Sequence, residues 1–424
     1  MLTLTNARIF DGTGMAPHRR SVTIDGDRIA AVGEGAPLSG EVIDVAGMTV
    51  APGLICCHLH ADNFKSGRTD PLGAEWPPGM LMAIGVRTCR VLLETGFTGF
   101  VGAACSNDID AQLKMAIAEG IVPGPRIRPC GHHIGTTADA NDGMIGKWWQ
   151  ELAHPGTDLF ADGPDAIRRL VRLEIRNGVE IVKVFFSSGH GVTGPTARNM
   201  ARDEIEALVQ AAHERGAKVR AHVCHKELIL EAIELGIEVI DHGDEVDEAC
   251  IEAMATAGTF WVPSLAFLEA AQRINYPDPG DAMARARASV RRMLPLAQKA
   301  GVRMLLGDDY GGGRMLRHDV GAYAGELAMY GAVDGLSGAD VLGWATRNAG
   351  QLLVDRPDRV GVIEKGALAD LIVVDGDPVA DLTLLQRPDE TLRAVIRDGR
   401  FVIDRLPRAT RAGGARQAEL AAGG

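Results

Sequence analysis

Aromatic residues make up only 4% of this 424-residue chain, and positive charge is scarce: 44 Lys and Arg face 56 Asp and Glu, for a net charge of −12. A nucleic acid or an anionic membrane as main partner would call for a basic face, so the charge argues against both. Long apolar runs are missing too. No stretch has the length and uniform apolarity of a membrane helix, and Met1-Leu-Thr-Leu-Thr-Asn6 has neither the basic start nor the apolar core of a secretory signal. The cytoplasm is therefore the expected location. Seven cysteines, an odd number without framework spacing or a CxxC pair, read as reduced thiols and exclude a disulfide scaffold.

What is present fits a large globular enzyme, with 46% hydrophobic and 24% charged residues over a length that suits a barrel plus a satellite domain. The first fifty residues read as short strands, Leu2 to Ile9, Ser21 to Ile24, Arg28 to Val32 and Glu41 to Asp44, separated by turns at Asp11-Gly12 and Asp25-Gly26-Asp27. From Gly53 the texture changes to apolar strands alternating with helical segments: Leu54 to His58, Thr98 to Gly102, Arg126 to Cys130, Glu180 to Phe185, Lys218 to His222, Glu238 to Asp241, Thr259 to Pro263 and Arg303 to Gly307. Such alternation predicts an α/β fold, a (β/α)8 TIM barrel over 53–357. Strand and turn character returns at Lys365 to Asp377 and Arg393 to Ile403. Strands need a sheet, so 1–52 and 358–406 are expected to form one small, discontinuous β-sandwich domain from both chain ends. The tail 407–424, rich in Gly, Ala and Arg, reads as flexible.

Barrel enzymes place their chemistry at the C-terminal ends of the strands. In Gly53-Leu-Ile-Cys-Cys-His-Leu-His60, the two histidines are two residues apart on a strand and point the same way, a bite suited to one metal ion. Strand four carries Lys183 among apolar neighbours, strand five ends at His222, strand six at His242, and strand eight at Asp308-Asp309. Taken singly, each fits a hydrogen-bonded core residue or a turn cap. Their coincidence at successive strand ends points instead to a metal centre. Imidazole and carboxylate without thiolate suggest zinc, with manganese, iron or cobalt as alternatives. Lys183 is the odd member, since an ammonium has no lone pair; burial favours the neutral amine, which can add carbon dioxide and present a two-oxygen carbamate able to bridge two metals.

This set, with "APGLICCHLH", "VKVFFSSG", "AHV", "IDHG", "LLGDD", "ATRNAGQLL" and "VIEKGALADLIVVDGDP" in order along most of the chain, resembles the amidohydrolase superfamily, in particular its imidazolonepropionase-like and prolidase-like branch. The resemblance implies that His58 and His60 bind one metal, that carboxylated Lys183 bridges two, and that His222 and His242 bind the second. The family reads Gly-Thr-Asp at strand eight, which places its acid at Asp309 and Asp308 in the threonine position. It also implies hydrolysis of an amide-type C–N bond by a metal-bridging hydroxide, with Asp309 as general base and acid. One departure stands out: the family's Asp two residues before the first His is Cys56 here, which removes whatever support that carboxylate lends the metal ligands.

For the substrate, His132-His133 after strand three and His190 in Ser187-Ser-Gly-His190 are candidates to polarise or hold it, with His133 ranked ahead of His190. Trp148 and Trp149 suggest an aromatic wall or lid, and Arg314 and Arg317 could grip a carboxylate. The tyrosine found after the strand-five His in prolidase-like members is replaced by Cys224-His225, against a plain dipeptidase. A small-molecule amide, an N-acyl amino acid or dipeptide-like compound, is the expected substrate of a homo-oligomer. The alternatives are a mononuclear deaminase or ring-opening hydrolase of a heterocycle, against which Lys183 argues, and a non-catalytic barrel scaffold.

Overall fold

The computed structural model describes residues 1–13, 18–33, 40–62, 77–139, 142, 157–190, 197–273, 281–309 and 322–407. Trp148, Trp149, Arg314, Arg317 and the tail from 408 onward lie outside the described residues.

Five strands open the chain: β1 (Leu2–Ile9), β2 (His18–Asp25), β3 (Arg28–Gly33), β4 (Glu41–Asp44) and β5 (Thr49–Pro52). Then come β6 (Leu54–Leu59), β7 (Phe97–Gly102), β8 (Arg126–Arg128), β9 (His133–Gly135), β10 (Asp158–Phe160), β11 (Ile181–Phe185), β12 (Lys218–Val223), β13 (Val239–His242), β14 (Phe260–Val262) and β15 (Arg303–Met304), with helices between most of them. β16 (Leu371–Val374), β17 (Leu392–Arg397) and β18 (Arg400–Asp404) close the described chain.

The strands of the two chain ends share one mixed sheet in the order β18-β17-β16-β5-β1-β2-β3, with β4 added on β1. The sequence pattern missed β5, which runs parallel to β1 and antiparallel to β16 and so ties the two ends of the chain together. Leu4, Ile9, Val22, Leu371, Val373 and Ile396 form an apolar cluster of this sheet's own, apart from the main core. Only Gly53 separates β5 from β6. A Cβ there would lie 2.0 Å from Thr98 Oγ1, so the corner between the two sheets requires glycine.

The remaining strands are parallel. β6-β7-β8 form one sheet, and β10-β9-β11-β12-β13-β14-β15 form another. Backbone hydrogen bonds span both gaps between them: Cys57 N–H donates to Leu306 O beyond β15 at 2.7 Å, and Ile181 N–H donates to Pro129 O beyond β8 at 3.1 Å. Parallel strands covered on both faces read as continuous apolar runs, and every residue of β6 is buried. The expected third strand, Arg126 to Cys130, is observed as the shorter β8, and β9 lies beyond it, past Gly131, in a segment the sequence pattern did not assign to a strand. Gly131 has φ +66, and a Cβ there would meet Glu174 Oε2 at 2.4 Å.

Helix boundaries follow local chemistry. The helix Pro164–Arg176 starts on proline and buries Ile167, Val171 and Glu174 along one face. Asp247 caps the helix Glu248–Ala257 by accepting the Cys250 N–H, and Gly258 ends it at φ +69. Among the described residues, no helix is long and apolar enough to cross a membrane. All seven cysteines are buried free thiols, and burial pushes Cys57 and Cys89 up to about 12, which keeps them protonated and unreactive at neutral pH.

Candidate active site

The strand ends bring His58, His60 and Asp309 together. Asp309 turns the chain after β15 in a left-handed conformation, φ +57, and its Oδ1 lies 3.2 Å from His58 Nε2 and 3.1 Å from His60 Nε2. Burial opposes its charge, but the charges and hydrogen bonds of the two histidines hold the carboxyl well below its ordinary range. His60 Nδ1 donates to Ala104 O at 2.9 Å, which fixes the ring so that Nε2 faces Asp309.

His222 and His242 form the other half. Their ring centroids are 4.6 Å apart, and His242 approaches His58 at 5.1 Å, so the two halves are contiguous. Both are buried, and burial together with neighbouring histidines holds them well below the ordinary range, as neutral imidazoles. The buried His242 Nδ1 has no hydrogen-bond partner. A buried nitrogen with a free lone pair is costly unless it binds something. The donor set of neutral imidazoles, a carboxylate and an orphaned nitrogen thus fits divalent cations.

Lys183 is 1% exposed and ion-paired with Asp241. Burial, reinforced by Arg220, holds its amine below the ordinary lysine range even though Asp241 pulls the other way. Asp241 and Arg220 went unnoticed in the sequence. Arg220 Nε donates to Asp241 Oδ2 at 3.0 Å and its Nη1 donates to Gly102 O at 2.6 Å, while Asp241 Oδ1 lies 3.2 Å from His58 Nδ1. Arg220 carried a signal, since it sits two residues before His222 on the same strand face. Asp241 carried none: strict alternation turns it away from His242, and only the left-handed φ of His242, +68, lets both neighbours face the cluster. Asp241 also answers the question raised by Cys56. The carboxylate behind His58 comes from β13 instead of β6, while Cys56 Sγ sits against His58 O at 3.5 Å and Asp308 Oδ1 at 3.8 Å.

Two His–Asp pairs flank the cluster. His133 lies 5.9 Å ring to ring from His60, with Nδ1 3.1 Å from Asp158 Oδ1; burial pulls it down to about 4, so it is neutral. His190 lies 4.7 Å from His242, with Nδ1 2.9 Å from Asp244 Oδ2; here burial is outweighed by the Asp244 charge, and the ring is held well above its ordinary range. Cys224 Sγ approaches His222 Nε2 at 3.5 Å, so a thiol also stands beside the second half, where the sequence pattern suggested none. His132 turns away to Asp108 and Glu174, at 3.2 and 3.1 Å from its Nδ1, a knot between three chain segments outside the cluster.

Residues 49–402 match the model of the Amidohydrolase family. The chain is 26% identical to the ochratoxinase of Aspergillus niger over 409 residues, covering 90% of this chain and 82% of that protein. It is 25% identical to the imidazolonepropionase of Streptomyces griseus subsp. griseus over 400 residues, covering 90% of this chain and 92% of that protein. Among solved structures, a prolidase in complex with N-methylphosphonate-L-proline superposes with a TM-score of 0.81 at 28% identity, over 95% of this chain and 99% of that one. Because the family match runs from β5 to β18, through the terminal sheet as well as the barrel-type strands, the chain belongs to the amidohydrolase family.

Proposed function

We propose that this amidohydrolase cleaves the amide-type C–N bond of a small molecule, an N-acyl amino acid or dipeptide-like compound, at a pair of divalent ions, zinc by preference. The observation that carries this reading is the approach of one Asp309 oxygen to two histidine Nε2 atoms, at 3.2 and 3.1 Å, beside the contiguous pair His222 and His242. The relatives support the bond type, as ochratoxinase, imidazolonepropionase and prolidase are hydrolases of carbon–nitrogen bonds.

In this reading the two sheets of parallel strands close into one (β/α)8 barrel over 53–357, and 1–52 with 358–406 form the composite β domain. His58, His60 and Asp309 would hold one ion, and His222 and His242 the other. Lys183, whose amine burial holds below the ordinary lysine range, would add carbon dioxide with loss of a proton, and the carbamate so formed would supply oxygen ligands for the ions. Bound divalent ions would lower the pKa of water and polarise the amide carbonyl. Asp309 accepts the proton of the attacking water and delivers it to the leaving nitrogen. His133 and His190, each oriented by its own carboxylate, hold the substrate on either side.

Dialysis against a zinc chelator should abolish hydrolysis of a panel of N-acyl amino acids, and added zinc should restore it. Undiminished activity in fully metal-stripped protein would end this reading. His133→Ala should lower kcat/KM by about tenfold or more, the worth of one hydrogen bond to a substrate, with metal content unchanged. Loss of metal in that variant would move His133 from the substrate to the metal ligands.

A further inference from the structure

A neutral histidine that gives one ring nitrogen's lone pair to a cation carries its proton on the other, where a neighbour has to accept it. His58 and His60 have oxygen there. Their Nδ1 atoms lie 3.2 Å from Asp241 Oδ1 and 2.9 Å from Ala104 O, and both Nε2 atoms face Asp309. His222 is turned the other way. Its Nε2 faces Cys224 Sγ at 3.5 Å, and its Nδ1 has no hydrogen-bond partner among the described residues.

Local structure builds this contact. His222 and Cys224 stand two residues apart where β12 ends, so both side chains leave the chain on one side. The Cys224 N–H donates to Ser187 Oγ at 3.0 Å, which ties the thiol to the loop after β11. Phe185 stacks on the His222 ring, centroids 4.0 Å apart and planes 9° from parallel. The stack fixes the plane of the imidazole, and what remains open is which edge of the ring meets the sulfur. With Nε2–H donated to Sγ, the lone pair stays on Nδ1; with the proton on Nδ1 instead, that atom could hold no metal. Sulfur accepts more weakly than the oxygens behind His58 and His60, so His222 is held less firmly than they are.

We infer that Cys224 is the positioning residue of the ion on His222 and His242: its sulfur accepts the His222 Nε2–H and so turns the Nδ1 lone pair to the cation, without bonding to the metal itself. The inference rests on the proposed two-ion centre for the role of His222. Because the acceptor is sulfur, this ion is the more easily removed of the two.

His190, His222 and Cys224 offer donor atoms within 4.8 Å of one another, so a sulfur bonded directly to the metal is the outcome the test must separate. The test is cobalt(II) binding to the metal-stripped protein in bicarbonate buffer, read by competition with a chelator and by absorption, in wild type, Cys224→Ala and Cys224→Ser. Wild type should bind two ions of unequal affinity and show no sulfur-to-cobalt band in the near ultraviolet. Cys224→Ala should weaken one ion by about tenfold or more and leave the other unchanged. Cys224→Ser, whose hydroxyl also accepts, should restore the lost affinity. A thiol that merely packs predicts no such rescue, since a buried hydroxyl fills the space no better and costs more to bury. A near-ultraviolet band lost in Cys224→Ala would make the sulfur a ligand and overturn the positioning role. Unchanged affinities in Cys224→Ala, or Cys224→Ser behaving like Cys224→Ala, would overturn it too. Amide hydrolysis by the zinc-loaded wild type, followed in parallel, separates the two ideas. Cys224-dependent binding without turnover of any amide retains the positioning role and removes the hydrolase reading. Turnover with affinities indifferent to Cys224→Ala does the reverse.

Discussion

Lys183→Ala should lose most of its bound metal, and amide hydrolysis should fall with it by about a hundredfold or more. In wild-type protein purified in bicarbonate buffer, mass spectrometry should find about two divalent ions per chain, the count a bridging ligand implies. Alanine removes the buried amine that would become the carbamate, and imidazoles and one carboxylate would then be left to hold the ions without that ligand. The variant also frees space that a small carboxylate can fill. Added acetate should therefore restore part of both the metal content and the rate, which a merely structural lysine would not allow. A single ion per chain, indifferent to the substitution, would leave Lys183 as no more than the ion-pair partner of Asp241 seen in the structure and would favour a mononuclear deaminase.

Asp241→Ala is expected to be the most destabilising single substitution near the site, at about 3–5 kcal/mol by denaturant unfolding. The carboxylate is fully buried between Arg220 and Lys183, themselves 0% and 1% exposed, and it also meets His58. Truncation strands a guanidinium in the interior, and such a charge left without its partner costs more than the pair was worth. Burial opposes the charge of Asp241, but Arg220, Lys183 and His58 hold its carboxyl well below the ordinary range. A depressed carboxyl pKa stabilises the fold in full above the unfolded value, about 3.9, and that contribution is lost as pH falls from there through the folded value. The difference in stability between wild type and Asp241→Ala should therefore be constant from neutral pH to about 5 and shrink only in stronger acid. A cost below about 1 kcal/mol, or a difference that shrinks already near neutrality, would mean that Asp241 is not the counter-ion of Arg220 and Lys183.

Period and punctuation made most of the architecture legible. The alternation of apolar strands with helices from Gly53 onward, the turn residues of the first fifty positions and the return of strand character after Lys365 all correspond to observed elements. The misses have local causes. β5 is only four residues long, between the turn at Ala46-Gly47 and Gly53, and its place is set by its partners β1 and β16. β9 is only three residues long and lies past Gly131, beyond the end of the expected third strand at Cys130. β10 is three residues long and takes its conformation from pairing with β9.

The amino-acid sequence by itself placed histidines and an aspartate at strand ends and a lysine within a strand, because strand periodicity and strand termini are local properties. Between Asp308 and Asp309 the residues alone left both open and only the resemblance to the family's Gly-Thr-Asp favoured Asp309; the structure puts Asp309 between His58 and His60 while Asp308 rests on Cys56. Only the tertiary structure decided that Asp241 supplies the carboxylate behind His58 and that His133 faces His60 while His132 turns away. It alone set the Cys224 sulfur against His222. Those outcomes hang on a left-handed residue at His242, a break at Gly131 and contacts between residues far apart in the chain, none of which leaves a periodic trace in the sequence.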